Sequence, residues 1–212
     1  MSFSIPSLKS FITPVTISAG YGVSPSLLML HGETVVDSSA NNWTLTNTNV
    51  TASSVQKKFG TNSLLFNGSN SNLLLPNNAA FSLSTYTIEA WIYVNSLSAD
   101  MGFYSSTGGN ILCTIKSTGA VNLSNNVNYS TSSATTPITA GSWFHLAIVQ
   151  NAGVTAYVNG NSILSVSSTN MAYGYIGSIA SATYFNGYMD EFRISNSAIY
   201  TSNFTPPATA FA

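Results

Sequence analysis

The chain has 212 residues, enough to bury the core of one large β-domain. Five Lys or Arg and six Asp or Glu make only 5% of it charged, against roughly 25% in ordinary soluble domains. The net charge is −1 and no basic run exists, so neither a nucleic-acid nor a membrane partner is expected. Neutral Ser, Thr and Asn must keep the surface soluble.

In chain order, residues 1–26 come first, as MSFSIPSLKSFITPVTISAGYGVSPS. The segment has three prolines and no clear hairpin partner. It reads as an extended arm, and Phe3, Ile5, Leu8, Phe11, Ile12, Val15 and Ile17 make it too apolar for a plain linker. It is expected to dock on a partner as an assembly anchor. Its start has no positive end and no continuous apolar run, so no signal peptide is expected.

Residues 27–212 alternate at period two. SLLFNG at 63–68, YTIEAWIYV at 86–94, ILCTIK at 111–116, WFHLAIVQ at 143–150, VTAYVNG at 154–160 and EFRISN at 191–196 read as strands rich in Ile, Val, Thr, Tyr and Phe. FNGSN, STGG, TAGS, VNGN and FNG punctuate them as turns. No segment holds a helical period. The expected fold is all-β, a two-sheet antiparallel jelly-roll β-sandwich of about twelve strands with an extended N-terminal arm. Cys113 alternates with Ile111 and Ile115 and reads as a small core residue.

Charge gathers at one place. In FNGYMDEFRI, Asp190, Glu191 and Arg193 fall within four positions, which suggests a catalytic pair, a metal ligand or a structural lock. Plain alternation puts Asp190 with Phe192 and Ile194 on the inward face, and Glu191 with Arg193 outside as an i, i+2 pair. An inward carboxylate must accept hydrogen bonds or hold a metal. The lock is the preferred reading, with Asp190 closing the FNG turn.

The blocks LLMLHGE, KKFGTNSLLFNGSN, YTIEAWIYV, WFHLAIVQ, AYVNGN, YIGS and FNGYMDEFRISNSAIYTSNFTPP, in that order, resemble the laminin-G-like, concanavalin A-like lectin/glucanase jelly rolls. The resemblance covers residues 27–207. With LHGE near its start and IYTSNFTPP near its end, it looks like the variant found in bacteriophage virion proteins of the capsid surface, tail or fibre. The resemblance implies carbohydrate or protein binding at loops on one rim, calcium in some members and glycoside hydrolysis in a minority.

Hydrolysis needs two carboxylates facing one cleft. Only Glu89 occupies a comparable place, with Trp91 and Tyr93 on its face and no second acid. His145 lacks a G-x-S-x-G partner. No enzyme is expected. No cofactor is required; calcium is the candidate ion, with Glu33, Asp37 and Asp190 to hold it. Tyr104, Tyr129, Tyr173, Tyr175 and Tyr184 are loop aromatics available to a sugar. The preferred expectation is a virion-surface structural protein, made in the host cytoplasm. Its partners would be other virion proteins and copies of itself, reached through the arm, where interfaces of about 1,600 Å² are the norm. The alternative is a lectin-like module that binds a host glycan.

Overall fold

The structure, a computed structural model, describes residues 26–125, 130–135 and 137–212. The expected arm therefore lies outside the described residues, apart from Ser26. The chain builds fifteen strands among those residues: β1 (Ser26–Leu30), β2 (Thr46–Thr48), β3 (Thr51–Ser53), β4 (Ser63–Asn67), β5 (Asn72–Leu74), β6 (Tyr86–Val94), β7 (Met101–Ser106), β8 (Leu112–Ile115), β9 (Val121–Ser124), β10 (Ser130–Ser132), β11 (Trp143–Gln150), β12 (Gly153–Val158), β13 (Asn161–Ser167), β14 (Gly174–Ile176) and β15 (Asn186–Ser195). All pairings between them are antiparallel. The surplus over the expected strands comes from three-residue pieces such as the edge strands β2 and β3 and the interior strand β14, too short to carry a period.

Two sheets form. One runs β13-β12-β11-β6-β15-β4-β3, with β1 also on β15; the other runs β10-β9-β8-β7-β14-β5-β2. The core lies between them. On β6 the even residues Ile88, Ala90, Ile92 and Val94 are buried in it, together with Leu146 and Ile148 of β11. Phe103, Cys113, Leu123 and Ile176 meet them from the second sheet. Burial also pushes the Cys113 thiol far above its usual range, which leaves it an inert core atom.

The outward face of the first sheet is covered as well. The segment after β15 folds back over it. Tyr200, Ala198, Ile199 and Phe204 form a second small core with Ala147, Val149 and Tyr157. Residues 158–161, VNGN, form the turn that seats this segment. Asn159 and Gly160 have φ of 49° and 76°, the left-handed pair of a tight hairpin. A Cβ on Gly160 would come within 1.8 Å of the Phe204 carbonyl oxygen, and Gly160 O accepts from Phe204 N at 3.0 Å. Only glycine admits the tail this closely.

β15 organises the centre. β4 pairs with one end of its free edge, opposite Asn186–Met189, and β1 pairs with the other, opposite Phe192–Ser195. Between the two partners the register slips, and Glu191 takes a left-handed φ of 53°. This β-bulge corrects the plain alternation. Met189 is in the core, whereas Asp190 pairs opposite Trp91 and Arg193 opposite Glu89, both outward-facing positions. Asp190 therefore points away from the main core, because one extra residue resets the period.

Candidate functional site

The charge cluster becomes three separate contacts. Asp190 Oδ2 accepts from the backbone N–H groups of Lys58 and Phe59 at 2.8 and 3.0 Å. It thus fastens the loop between β3 and β4, not the FNG turn. Burial raises its carboxyl to about 6, against the pull of those two amides, and the neighbouring Glu191 charge adds to the rise. Glu191 does not pair with Arg193. It lies 3.0 Å from His31 Nδ1 and accepts from Phe211 N at 2.7 Å.

Arg193 instead reaches Glu89, with Nη2 at 2.6 Å and Nε at 2.9 Å from Oε1. Tyr200 Oη donates to Glu89 Oε2 at 2.8 Å. His145 Nε2 is 3.1 Å from the same oxygen, near enough for an ion pair but not aligned as a hydrogen bond. Glu89 and His145 have no exposed surface. Burial opposes the charge on Glu89, but His145 and Arg193 outweigh it and hold the carboxyl below the usual range. Phe204 stacks on Tyr200 at 3.5 Å and meets His145 edge-on, while Phe211 lies under the Arg193 guanidinium. A carboxylate sealed from solvent and spent on Arg193 and Tyr200 can neither reach nor attack a glycosidic bond.

Glu33, Asp37 and Asp190 do not converge into one ligand set. Asp37 spends both oxygens on Met29 N, Ser39 and Trp43 N. Glu33 accepts from Thr61 N at 2.7 Å and from the Thr61 hydroxyl, which draws its carboxyl below the usual range. Among the described residues no group of three His, Cys, Asp or Glu is placed to hold a metal. The three acids fit loop fastening, and the donor set expected for calcium is not assembled.

Beside the sealed network lies an open groove of about 570 Å³, a size suited to a small ligand. Its floor and sides are Trp91, Trp143 and Phe59, with Lys58 and Asn159 among them. Pro206, Pro207 and Ala208 of the tail complete one wall. Cross-strand register explains the aromatics: Trp143 sits opposite Tyr93, and Tyr93 opposite Tyr188, so rings form a row across β11, β6 and β15. Lys58 Nζ lies 3.9 Å over the Trp91 ring, a cation–π contact. A second cleft, of about 260 Å³, opens at the sheet rim between Ser96, Asp100, Tyr184 and Asn186.

Of the loop aromatics expected to meet a sugar, Tyr184 lines this rim cleft. Tyr104 is fully buried and donates to Ala172 O at 2.7 Å, so it is a core residue. Tyr173 and Tyr175 are half-buried, and Tyr129 lies outside the described residues. The groove itself escaped sequence reasoning. Its one signal was the shared face of Glu89, Trp91 and Tyr93; Lys58, Asn159 and the prolines come from remote parts of the chain.

Residues 67–202 match the sequence model of the concanavalin A-like lectin/glucanases superfamily. The chain belongs to this superfamily. No curated protein matches the chain. Among solved structures, this superfamily member is similar to domain 4 of AbnA, a GH43 extracellular arabinanase from Geobacillus stearothermophilus, in complex with arabinotriose. The TM-score is 0.64 at 20% identity, covering 82% of this chain and 93% of that one. It is similar to a putative carbohydrate binding protein from Bacteroides ovatus, with TM-score 0.54, 19% identity and coverage of 63% and 43%. It is also similar to the receptor binding domain of a botulinum neurotoxin C/D mosaic serotype, with TM-score 0.61, 17% identity and coverage of 82% and 48%. The superfamily member thus spans less than half the length of the last two. At these identities the likeness is one of fold.

Proposed function

We propose that the chain is a non-enzymatic, lectin-like carbohydrate-binding module, and that the outer-face groove holds the sugar. One observation carries the reading: Trp91 and Trp143 line an open groove whose neighbouring carboxylate, Glu89, is sealed under the tail. Pyranose rings present apolar C–H faces that pack on aromatic rings, and Asn and Lys supply hydrogen bonds at the ring edge. The superfamily membership and the carbohydrate named in two of the similar structures support it. The glycan reading, which those names support, therefore takes precedence over a virion-surface protein anchored by residues 1–26.

A glycan array probed with the whole chain tests this. Discrete binding is expected. Trp143→Ala should weaken it by about 1–2 kcal/mol, roughly five- to thirtyfold, through lost apolar contact. An array at background would overturn the reading. Binding that survives Trp143→Ala and is lost in Tyr184→Ala would move the site to the rim cleft.

A further inference from the structure

We infer that the groove selects an acidic sugar, a glycan whose bound residue carries a carboxylate or a sulfate; this rests on the carbohydrate reading above. The side chains that line the groove hold no Asp or Glu. Their polar atoms are donors. Asn159 Oδ1 is already used, accepting from His145 N at 2.9 Å, and its Nδ2 has no hydrogen-bond partner among the described residues. The Trp91 indole N–H has no acceptor among the described residues, but it is buried and does not face the groove as a donor; the Trp91 ring is what the groove presents. Lys58 adds an ammonium group.

Among the described residues Lys57 and Lys58 have no carboxylate partner, and of the two only Lys58 lines the groove. Lys116 is paired with Asp100, and Arg193 with Glu89. Lys58 is held over the Trp91 ring at the groove, in a chain with only five Lys or Arg. Asp190 lies behind the β3–β4 loop with none of its surface exposed, and takes the backbone amides of Lys58 and Phe59. An uncharged hydroxyl would leave the cation unmatched, whereas an anionic substituent beside an aromatic-packed ring meets the Lys58 ammonium, with the Asn159 amide as a neighbouring donor.

The test titrates the full chain with lactose, with sialyllactose, with a glucuronic-acid-terminated disaccharide and with 6-sulfolactose. At low salt an anionic ligand should bind at least tenfold more tightly than lactose, and the preference should shrink as salt rises. Lys58→Gln should bring the anionic ligand down to the neutral level. It should fold, because Asp190 uses the Lys58 backbone N–H, not its side chain. Lys57→Gln is the control: it removes an exposed neighbouring charge whose Nζ bonds Ser54 O, and should leave the preference intact. The two carboxylate arms and the sulfate arm identify the anionic group. Equal binding of neutral and anionic ligands overturns the inference while the carbohydrate reading stands. So does a preference that persists in Lys58→Gln or vanishes equally in Lys57→Gln. Binding of none of the four overturns the inference, and if the array is also at background the carbohydrate reading falls with it.

Discussion

Asp190 shows how one carboxylate sets a pH dependence. Its side chain is buried, and two backbone N–H groups hold one of its oxygens. With its carboxyl raised from 3.8 to about 6, the folded state binds the proton more tightly than the unfolded chain does. The contribution to stability is therefore full below about pH 4 and is lost as pH rises through about 6, roughly 3 kcal/mol in all. Glu33, Glu89 and Asp100 are shifted the opposite way, so their contributions vanish on acidification and mask the trend. A comparison isolates it. Denaturant midpoints of the wild type minus those of Asp190→Asn should fall between pH 4 and 6; a flat difference would mean that burial does not strain this group.

At the scale of elements, the bulge in β15 decides which charges meet. Without the extra residue, alternation would place Arg193 beside Glu191 and aim Asp190 into the core. With it, Arg193 lies opposite Glu89 across the β6–β15 pair, and β1 replaces β4 as the neighbour. The long strands β6 and β11 were legible almost residue for residue, since their period runs unbroken for nine and eight residues. The bulge was not, because nothing in DEF announces a left-handed glutamate; only the pairing of β15 with two different partners calls for it. A groove built from several elements was illegible for the same reason. The Glu89–Arg193 pair gives the test at this scale. Glu89→Gln leaves a buried guanidinium without its counter-charge and should cost about 3–5 kcal/mol of unfolding free energy. Glycan affinity should stay unchanged, since Glu89 does not line the groove. Loss of binding in a variant that remains folded would give Glu89 a direct role.

At the scale of the whole molecule, the C-terminal segment acts as a third layer. It covers the first sheet with Tyr200, Phe204 and Phe211 and closes the ionic network beneath. It explains why β6 and β15 are buried on both faces although their sequences alternate. Truncation after Ser197 removes several aromatic and aliphatic anchors, each worth about 1.5–3 kcal/mol when fully buried. A large fall in melting temperature is expected, together with loss of the groove wall at Pro206–Ala208. A truncated chain that melts like the full one would reduce the tail to an ornament.

The placement of the tryptophans has an optical consequence. Trp43 is held away from the groove, its indole N–H bonded to Leu27 O at 2.9 Å and its ring against Phe81. The other two, Trp91 and Trp143, both line the groove. Two of the three tryptophans therefore lie where the sugar would sit, next to the His145 ring and the Lys58 ammonium group. A sugar bound there would alter the emission of Trp91 and Trp143 and leave Trp43 as an internal reference.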